Sequence, residues 1–471
     1  MTNLPQGICA ALEQIAGQNN VFCQSKDMAS FLEEPRKRFH TPAQAVVTPR
    51  DVKTLQSIVA WANAEKTPLI PQGGNTGLVG GQVPRFGDEI IVSLKHLNKV
   101  REIDVKSGHM DVEAGLTLQA AQEAAQEAGL LFPLSIASQG SATIGGVLST
   151  NAGGVHVLAY GNARQLCLGV EAVMADGTLY RGLNALKKDN TGYDLRDLLI
   201  GAEGTLGFIV AATLKLYPRA HDYETAWINV ASPEVALHLF GLLKDRAGSA
   251  LTAFELMPRF GLDIQLKHKM LAKDPSASFS PWYVLAEVSI AKGASGDILS
   301  NGLEAALAAH IIDDATLAAS GQARNNMWAA REQMSPSQSR EGASIKHDVS
   351  VPVSAVPELI ARGSKAAKAI IAGIRPCPFG HMGDGNIHFN FSQPLAMDPK
   401  VFMDGAAPLH EAIYQIVTEL GGSVSAEHGI GQLKVDLLKK LKDPVALAMM
   451  GKIKQALDPN NILNPGKILA E

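Results

Sequence analysis

The chain has 471 residues, 46% of them hydrophobic and 19% charged, which excludes a disordered protein and predicts two or three globular domains. Its 42 basic and 46 acidic residues give a net charge of −4, and aromatic residues make up only 5%, so a nucleic-acid surface is disfavoured. No apolar run approaches the about 18 residues of a membrane span, and we expect no such span. The N-terminus shows no export signal, so we expect a cytoplasmic protein, or one of the mitochondrial matrix if the source is eukaryotic.

Four cysteines, Cys9, Cys23, Cys167 and Cys377, are scattered along the chain without a Cys-x-x-Cys pair. This spacing excludes a cysteine-built zinc or iron–sulfur site. It also fits a reducing compartment.

Two early segments predict helices. Residues 51–65 carry apolar side chains at helical spacing, and Asp51 can cap their start. Residues 118–128 are rich in Ala, Gln and Glu and stop before Gly129. Between them, residues 89–94 form a short apolar run.

Glycine usage divides the chain into regions. Glycine-rich turns recur between short apolar runs from residue 71 to residue 207, whereas longer helical stretches alternate with strand-like runs after about residue 220. We therefore expect an α+β protein with a nucleotide-type domain at 1–220, an inserted α+β domain at 221–420 and a C-terminal return at 421–471.

Three glycine-rich segments, residues 71–81, 139–146 and 149–154, could hold a phosphate-bearing cofactor, because consecutive glycines let backbone N–H groups converge on an anion. Any one of them could instead be a tight connection between strands, but three so close together favour the cofactor. The chain contains neither Gly-x-Gly-x-x-Gly nor a P-loop motif, which disfavours a nicotinamide enzyme of the Rossmann type and a P-loop NTPase. Residues 203–209 add another glycine-rich turn that leads into a strand.

An Asp-Gly pair at residues 384–385 separates two histidines. As a two-residue hairpin turn, it would place His381 directly opposite His388, with Asn386 and Asn390 on the same face. Facing imidazoles form half of a divalent-metal site. The alternative is a pair of hydrogen-bonded histidines in the core of a hairpin.

A second cluster favours the metal site. Glu427 precedes His428 in a segment flanked by glycines. Two histidines and one carboxylate leave an open coordination position, which is typical of catalytic metal sites. His428 would then be available to move a proton near neutral pH.

These motifs together resemble the FAD-linked D-2-hydroxy-acid dehydrogenases of the vanillyl-alcohol-oxidase-type flavoproteins. The resemblance runs from about residue 45 to the C-terminus, and among the branches it is greatest to the D-2-hydroxyglutarate dehydrogenases. It implies an FAD-binding domain and an inserted α+β substrate (cap) domain that carries the metal-binding hairpin. The segments that carry it are residues 71–81, 141–154, 188–195, 201–207, 380–388, 425–431 and 464–467.

The resemblance also implies roles for individual residues. FAD would bind without a covalent link, and the residues that would contact it are Pro71, Gly73, Gly74, Asn75, Thr76, Gly77, Ser141, Ile144, Gly145, Ser149, Asn151, Gly153, Glu203, Gly204, Ile209 and Asn464. His381, His388 and Glu427 would hold a divalent metal, with zinc foremost and manganese or iron as alternatives. His428 would be the catalytic base and contact the substrate, as would Asn390.

Substrate choice needs a second anchor. Residues 327–335 predict a helix with Arg331 and Ser335 one turn apart on one face, and residues 345–351 alternate as a strand that carries Lys346. Arg331 and Lys346 could clamp a distal carboxylate. The resemblance implies this role for both residues, and family members commonly have Thr at the position of Ser335. By spacing alone, both cations could instead be solvated surface residues. We expect D-2-hydroxyglutarate as the substrate and D-malate as a second one.

Other functions remain open at this stage. The chain could be a D-lactate or glycolate dehydrogenase of the same family, a flavin-dependent transferase of the alkyl-glycerone-phosphate synthase kind, or a flavin-bearing subunit without its own chemistry. For a dehydrogenase, the electron acceptor would be an electron-transfer flavoprotein, a quinone or a cytochrome, since no NAD fingerprint is present. The family also implies a homodimer.

Overall fold

The computed structural model describes residues 6–470. Its helices are, in chain order, α1 Gln6–Ala16, α2 Ser25–Leu32, α3 Val52–Glu65, α4 Leu118–Glu127, α5 Ile144–Ser149, α6 Val157–Tyr160, α7 Leu195–Leu199, α8 Pro233–Ala247, α9 Arg259–Lys267, α10 Ile298–Ala308, α11 Gly321–Glu332, α12 Met334–Glu341, α13 Val356–Ile370, α14 Pro399–Asp404, α15 Ala406–Glu419, α16 Val435–Leu441 and α17 Pro444–Leu457. Within the described residues, no helix combines the length and the apolar character needed to cross a lipid bilayer.

The strands lie between these helices along the chain and pair mainly antiparallel, which confirms the α+β prediction. They are β1 Val21–Phe22, β2 Ala45–Val47, β3 Leu69–Gln72, β4 Ile90–Ser93, β5 Val100–Asp104, β6 His109–Glu113, β7 Leu130–Leu131, β8 Cys167–Val173, β9 Leu179–Gly182, β10 Phe208–Lys215, β11 Tyr217–Pro218, β12 Asp222–Val230, β13 Leu251–Pro258, β14 Trp282–Ile290, β15 Asp314–Leu317, β16 Ser344–Ile345, β17 Asp348–Ser350, β18 Arg375–His381 and β19 Asn386–Ser392.

Local signals fix the two early helices as predicted. The carboxylate of Asp51 accepts a hydrogen bond from the Thr54 N–H at 2.7 Å, which caps α3. Gly129 follows the end of α4 with a φ of 78°, a left-handed conformation that glycine adopts without strain. The apolar run at residues 89–94 forms β4.

The chain folds as two compact units. The first contains the described residues up to Gly154, Gly161–Arg219 and those from Glu427 onward, and the second contains Val155–Tyr160 and Ala220–Ala426. The short segment Val155–Tyr160, which the sequence assigned to the first domain, folds with the second unit because α6 packs against β13.

Two main sheets build the first unit. In the four-stranded sheet, with order β1-β2-β4-β3, strands β2, β4 and β3 run parallel. The other sheet has the antiparallel order β5-β6-β10-β8-β9, and its central strand β10 is almost wholly buried. Near the C-terminus, Leu463 forms a parallel bridge with Leu69, so the end of the chain extends the edge of the first sheet.

One antiparallel sheet forms the second unit. Its order is β15-β12-β14-β13-β18-β19-β16, and β17 also pairs with β19. One face packs against α8, α10, α13 and α15 in a large apolar core. The opposite face packs against α9, α11 and α12 in a smaller core that contains Tyr283 and Phe379.

The cysteines differ from the expectation. Cys9 and Cys23 form a disulfide with their Cα atoms 6.4 Å apart, whereas disulfides are rare in the reducing compartment that the sequence favoured. Their separation of 14 residues gave no sign of the contact, because the fold brings α1 next to the chain after β1. Cys167 and Cys377 are buried free thiols.

Candidate active site

The first unit contains a cavity of about 510 Å³, within the range of sites that hold cofactors and other small molecules. Residues of the glycine-rich segments line much of it, and Glu427 and His428 also line it. Twelve of the predicted cofactor residues lie on this wall, which we call the glycine-loop cavity: Pro71, Gly73, Gly74, Asn75, Thr76, Gly77, Gly145, Ser149, Gly153, Glu203, Gly204 and Ile209.

Glycine is required where two of these loops meet. A Cβ at Gly73 would lie 2.3 Å from Thr143 Oγ1, and one at Gly74 would lie 1.8 Å from the carbonyl oxygen of Ser141. Both distances are too short for any side chain. The two loops therefore approach each other backbone to backbone, which leaves peptide groups as the surface offered to a ligand.

Four of the predicted cofactor residues have left-handed backbone without being glycine. Their φ angles are 54° at Asn75, 49° at Asn151, 49° at Glu203 and 46° at Asn464. Such conformations cost about 1–3 kcal/mol each and concentrate at ligand sites. Asn464 is held by hydrogen bonds from its Nδ2 to the carbonyls of Gly81 and Glu203, and its buried Oδ1 has no partner among residues 6–470.

Four predicted cofactor residues do not line the cavity, namely Ser141, Ile144, Asn151 and Asn464. Ser141 contributes its carbonyl to the contact with Gly74, and Asn151 Oδ1 accepts the Arg164 N–H at 3.0 Å. Residues 136–138 also line the cavity but were not predicted, because the run Ile-Ala-Ser contains no glycine.

Glu203 fastens the segment that follows His428. Its carboxylate accepts the N–H groups of Ile430 and Gly431, both at 2.7 Å. Burial raises the pKa of Glu203, while these backbone hydrogen bonds oppose that shift. Glu203 was predicted to contact the cofactor, and the structure gives it a second role in holding a loop of the cavity wall.

In the second unit, the predicted histidine hairpin forms with a different register. His381 faces Asn386, and His388 faces Phe379, so the prediction that the histidines oppose each other directly is wrong. A loop at residues 382–385 replaces the two-residue turn, because only Gly385 of the Asp-Gly pair has positive φ, whereas a type I′ turn needs it at both positions. The shift is two residues, so both histidines stay on one face as diagonal neighbours with ring centroids 5.5 Å apart.

This face of the sheet collects polar side chains. On β17 Asp348 pairs with His388, and on β13 Glu255 pairs with His381. Strands β16 and β17 pair with β19 in the same register, so Lys346, which lies between them, is opposite Asn390. Lys346 is thus on the same face as Asp348, as the predicted alternation requires. We call this set the polar face: Glu255, Lys346, Asp348, His381, Asn386, His388 and Asn390.

Glu255, which the sequence analysis missed, links two predicted site residues. One carboxylate oxygen accepts from His381 Nδ1 at 2.8 Å and the other accepts from Arg331 Nε at 2.5 Å. Burial alone would raise the pKa of Glu255, but His381 and Arg331 lower it to about 2. No sequence signal marks this glutamate, since it lies within a mostly apolar strand.

Arg331 and Ser335 lie on two helices, so the prediction of one continuous helix is wrong. α11 ends at Glu332, and α12 begins at Met334. Arg331 is 7% exposed, and its guanidinium lies over the Phe379 ring, 5.0 Å from the centroid, which excludes the solvated salt bridge. Lys346 Nζ donates to Ser335 Oγ at 2.8 Å.

The polar face suits a cation. A hydrogen bond from His381 Nδ1–H to Glu255 selects the tautomer with a lone pair on Nε2, the usual arrangement of metal-binding histidines. Asn386 is 5% exposed, and its Oδ1 has no partner within the described chain, although its Nδ2 bonds to Asp348. Imidazole nitrogens with carboxylate and amide oxygens form a donor set that zinc, manganese or iron accepts.

Asn390 is oriented by a buried amide. Its Nδ2 donates to Gln338 Oε1 at 2.8 Å, and Gln338 is fully buried in α12. Asn390 was predicted to contact the substrate, and Gln338 was not recognised from the sequence.

Comparison with known proteins agrees with this architecture. Residues 220–468 match the family described as FAD linked oxidases, C-terminal domain. Residues 43–182 match the FAD binding domain family, and the glycine-loop cavity lies in the unit that contains most of them.

Curated relatives cover nearly the whole chain. A D-2-hydroxyglutarate dehydrogenase of Xanthomonas citri pv. viticola is 33% identical over 97% of this chain and 96% of its own length. The mitochondrial D-2-hydroxyglutarate dehydrogenase of Rattus norvegicus is 36% identical over 91% of this chain and 78% of its own length.

Solved structures show the same fold at low identity. A p-cresol methylhydroxylase matches with a TM-score of 0.78 and 16% identity, over 100% of this chain and 98% of that one. A 4-ethylphenol oxidase from Gulosibacter chungangensis matches with a TM-score of 0.75 and 19% identity, over the same shares. The predicted vanillyl-alcohol-oxidase-type fold is thus confirmed. Family matches and relatives together show that the chain belongs to the FAD-linked D-2-hydroxy-acid dehydrogenases.

Proposed function

We propose that the chain oxidises D-2-hydroxyglutarate to 2-oxoglutarate, with D-malate as a second substrate. The names of its relatives support FAD-dependent oxidation of a 2-hydroxy acid. The preference for a dicarboxylate rests on one observation, the hydrogen bonding of the Arg331 guanidinium. Glu255 holds its Nε, whereas its two Nη groups have no hydrogen-bond partner within residues 6–470. Two parallel N–H donors on a fixed guanidinium match a carboxylate.

The glycine-loop cavity would hold FAD. When bound, FAD supplies the acceptor for the hydride that leaves the α-carbon of the substrate. The loops around Gly74 and Gly145 would bind the pyrophosphate through backbone N–H groups, since their close packing excludes side chains. FAD would bind without a covalent link to the chain.

His381, His388 and Glu427 would hold a divalent cation, zinc foremost. When bound, the cation supplies Lewis acidity that lowers the pKa of the α-hydroxyl group. The tautomer of His381 and its place beside His388 on the polar face support two of the ligands. Glu427 follows Ala426 directly, and the Ala426 N–H donates to the Asp348 carbonyl at 3.4 Å on the strand that pairs with His388.

His428 would take the hydroxyl proton as the general base. It lines the glycine-loop cavity, and the hydrogen bonds from Ile430 and Gly431 to Glu203 fix the segment that follows it. A positioned base contributes about 10²–10⁴-fold to such a proton transfer. Asn390 would bind the substrate, and Lys346 with Ser335 would join Arg331 at the distal carboxylate.

Electrons would pass from the reduced flavin to an external acceptor. An electron-transfer flavoprotein or a quinone fits a chain without a nicotinamide fingerprint. A D-lactate dehydrogenase is the second candidate within the family, but a monocarboxylate would leave Arg331 unmatched.

An anaerobic absorption spectrum tests the proposal. D-2-hydroxyglutarate should bleach the flavin band and L-2-hydroxyglutarate should not, and kcat/KM should fall in the order D-2-hydroxyglutarate, D-malate, D-lactate. Dialysis against a chelator should abolish bleaching while the flavin stays bound, and added Zn²⁺ or Mn²⁺ should restore it. Full activity in metal-free protein, or a preference for D-lactate, would contradict the proposal.

A further inference from the structure

Glu255 lies between the cation ligands and the arginine of the polar face. Its side chain is 1% exposed on β13, and both carboxylate oxygens are used. His381 Nδ1 lies 2.8 Å from one oxygen and Arg331 Nε lies 2.5 Å from the other. A single buried carboxylate therefore bonds to both residues.

Phe379 makes a second link between the same groups. The Arg331 guanidinium lies 5.0 Å from the centroid of the Phe379 ring, and that ring lies 5.2 Å from the His388 ring. Arg331 is thus joined to His381 through Glu255 and to His388 through Phe379. All of these side chains are held by the sheet and by α11, so their separations are set by regular structure rather than by a loop.

We propose that Glu255 is a positioning residue that fixes the distance between the cation ligands and Arg331, so that the site selects 2-hydroxy acids by the length of their carbon chain. This inference rests on the function proposed above. D-2-hydroxyglutarate and D-malate differ by one methylene between the α-carbon and the distal carboxylate. A rigid separation lets only one of them bind the cation and the guanidinium together without strain.

Glutamine cannot replace this carboxylate. Both partners of Glu255 are N–H donors, whereas an amide offers one acceptor oxygen and one NH₂ donor. If the oxygen faces His381, Arg331 loses its acceptor. If it faces Arg331, His381 must move its proton to Nε2, the nitrogen that the cation would need.

The test compares Glu255→Gln with Glu287→Gln in the full-length holoenzyme. Glu287 is a matched control, because it is buried on the neighbouring strand β14 and bonds to Arg324, Trp328 and Thr225. Three quantities are measured: Zn²⁺ affinity by competition with a chromogenic chelator, the melting temperature, and the ratio of kcat/KM for D-2-hydroxyglutarate to that for D-malate.

We expect Glu255→Gln to weaken Zn²⁺ binding by about 10–100-fold. The ratio of the two substrates should fall by about tenfold or more, which is within the discrimination that one methylene allows. Glu287→Gln should change neither quantity, even if its melting temperature falls.

A folded Glu255→Gln variant with unchanged zinc affinity and an unchanged ratio overturns the inference, and so do equal losses in Glu287→Gln. If Glu255→Gln does not fold, Glu255→Asp replaces it. That variant keeps both acceptor oxygens but draws them back by one methylene, so the ratio should still fall, and an unchanged ratio overturns the inference. Failure of the proposed function appears separately, as wild-type protein that neither binds Zn²⁺ nor oxidises D-2-hydroxyglutarate.

Discussion

Lys346 Nζ donates a hydrogen bond to Ser335 Oγ at 2.8 Å, which ties the chain between β16 and β17 to the first turn of α12. The sequence placed these two residues in one substrate site, although 11 positions separate them. The bond fixes the ammonium group beside the N-terminus of α12, so the Lys346 side chain does not extend freely into solvent. The second unit therefore presents two ordered cations, Lys346 and Arg331, on elements that pack against one sheet.

Arg331→Met should lower kcat/KM for D-2-hydroxyglutarate by about 100-fold and leave D-lactate within about threefold. The reason is that a hydrogen-bonded charge pair contributes roughly 1.5–3 kcal/mol and D-lactate has no distal carboxylate. Steady-state kinetics with both substrates measure this. Arg324→Met is the control, because Arg324 pairs with Glu287 in the same unit. Equal losses for both substrates would remove the role of Arg331 in specificity.

Glu203→Gln should reduce flavin content and lower kcat by about tenfold. Its carboxylate receives two backbone N–H groups from the segment after His428, and an amide can accept only one of them. The ratio of flavin to protein absorbance and kcat measure the effect. Glu89→Gln provides the comparison, since Glu89 is also buried and accepts the N–H groups of residues 85–87 without lining the cavity. Wild-type flavin content and kcat in Glu203→Gln would refute this role.

Gly74→Ala should yield protein with little or no bound FAD. The new Cβ would meet the Ser141 carbonyl oxygen at 1.8 Å, so the two loops must separate, at a cost of about 1–3 kcal/mol or more. Flavin content and thermal unfolding check the result. Gly451→Ala is the matched substitution, because Gly451 lies in α17 with no atom within 4 Å of its Cβ position. The free energy of unfolding of Gly451→Ala should rise by up to about 1 kcal/mol. Equal flavin content and equal unfolding in the two variants would contradict the prediction.

Glu341 should make the stability of the protein sensitive to acid. Burial raises the pKa of Glu341, but hydrogen bonds from Lys267, Arg375 and His268 outweigh it and bring the pKa from 4.5 to about 2. The unfolded chain then binds more protons at low pH, so the stabilisation is complete above pH 4.5 and is lost as the pH falls toward about 2.

Melting temperatures at pH 6, 5, 4 and 3 test this linkage. The melting temperature should fall less with acid in Glu341→Gln than in the wild type. The difference corresponds to at most one proton bound on unfolding. Glu332→Gln, at an exposed position in the same unit, should keep the wild-type slope. Parallel curves for Glu341→Gln and the wild type would contradict the prediction.

The metal hairpin shows how far sequence reasoning extends. The alternation of side chains placed His381 and His388 on one face, and the structure confirms that placement. The register was two residues off, because the loop conformation depends on packing that the Asp-Gly pair does not encode. A Cβ at Gly385 would lie 2.1 Å from the carbonyl oxygen of Val351, and Gly383 packs against Leu158.

Local patterns in the sequence determined the elements, the glycine-rich loops and the types of chemistry available, because capping, alternation and backbone freedom act over a few residues. Partners distant in the chain were decided only by the tertiary structure. Glu255 lies 126 positions from His381 and 76 from Arg331, and the disulfide between Cys9 and Cys23 likewise had no local signal. The physical reason is that a buried carboxylate is tolerated only where donors converge on it, and the packing of strands and helices determines which donors those are.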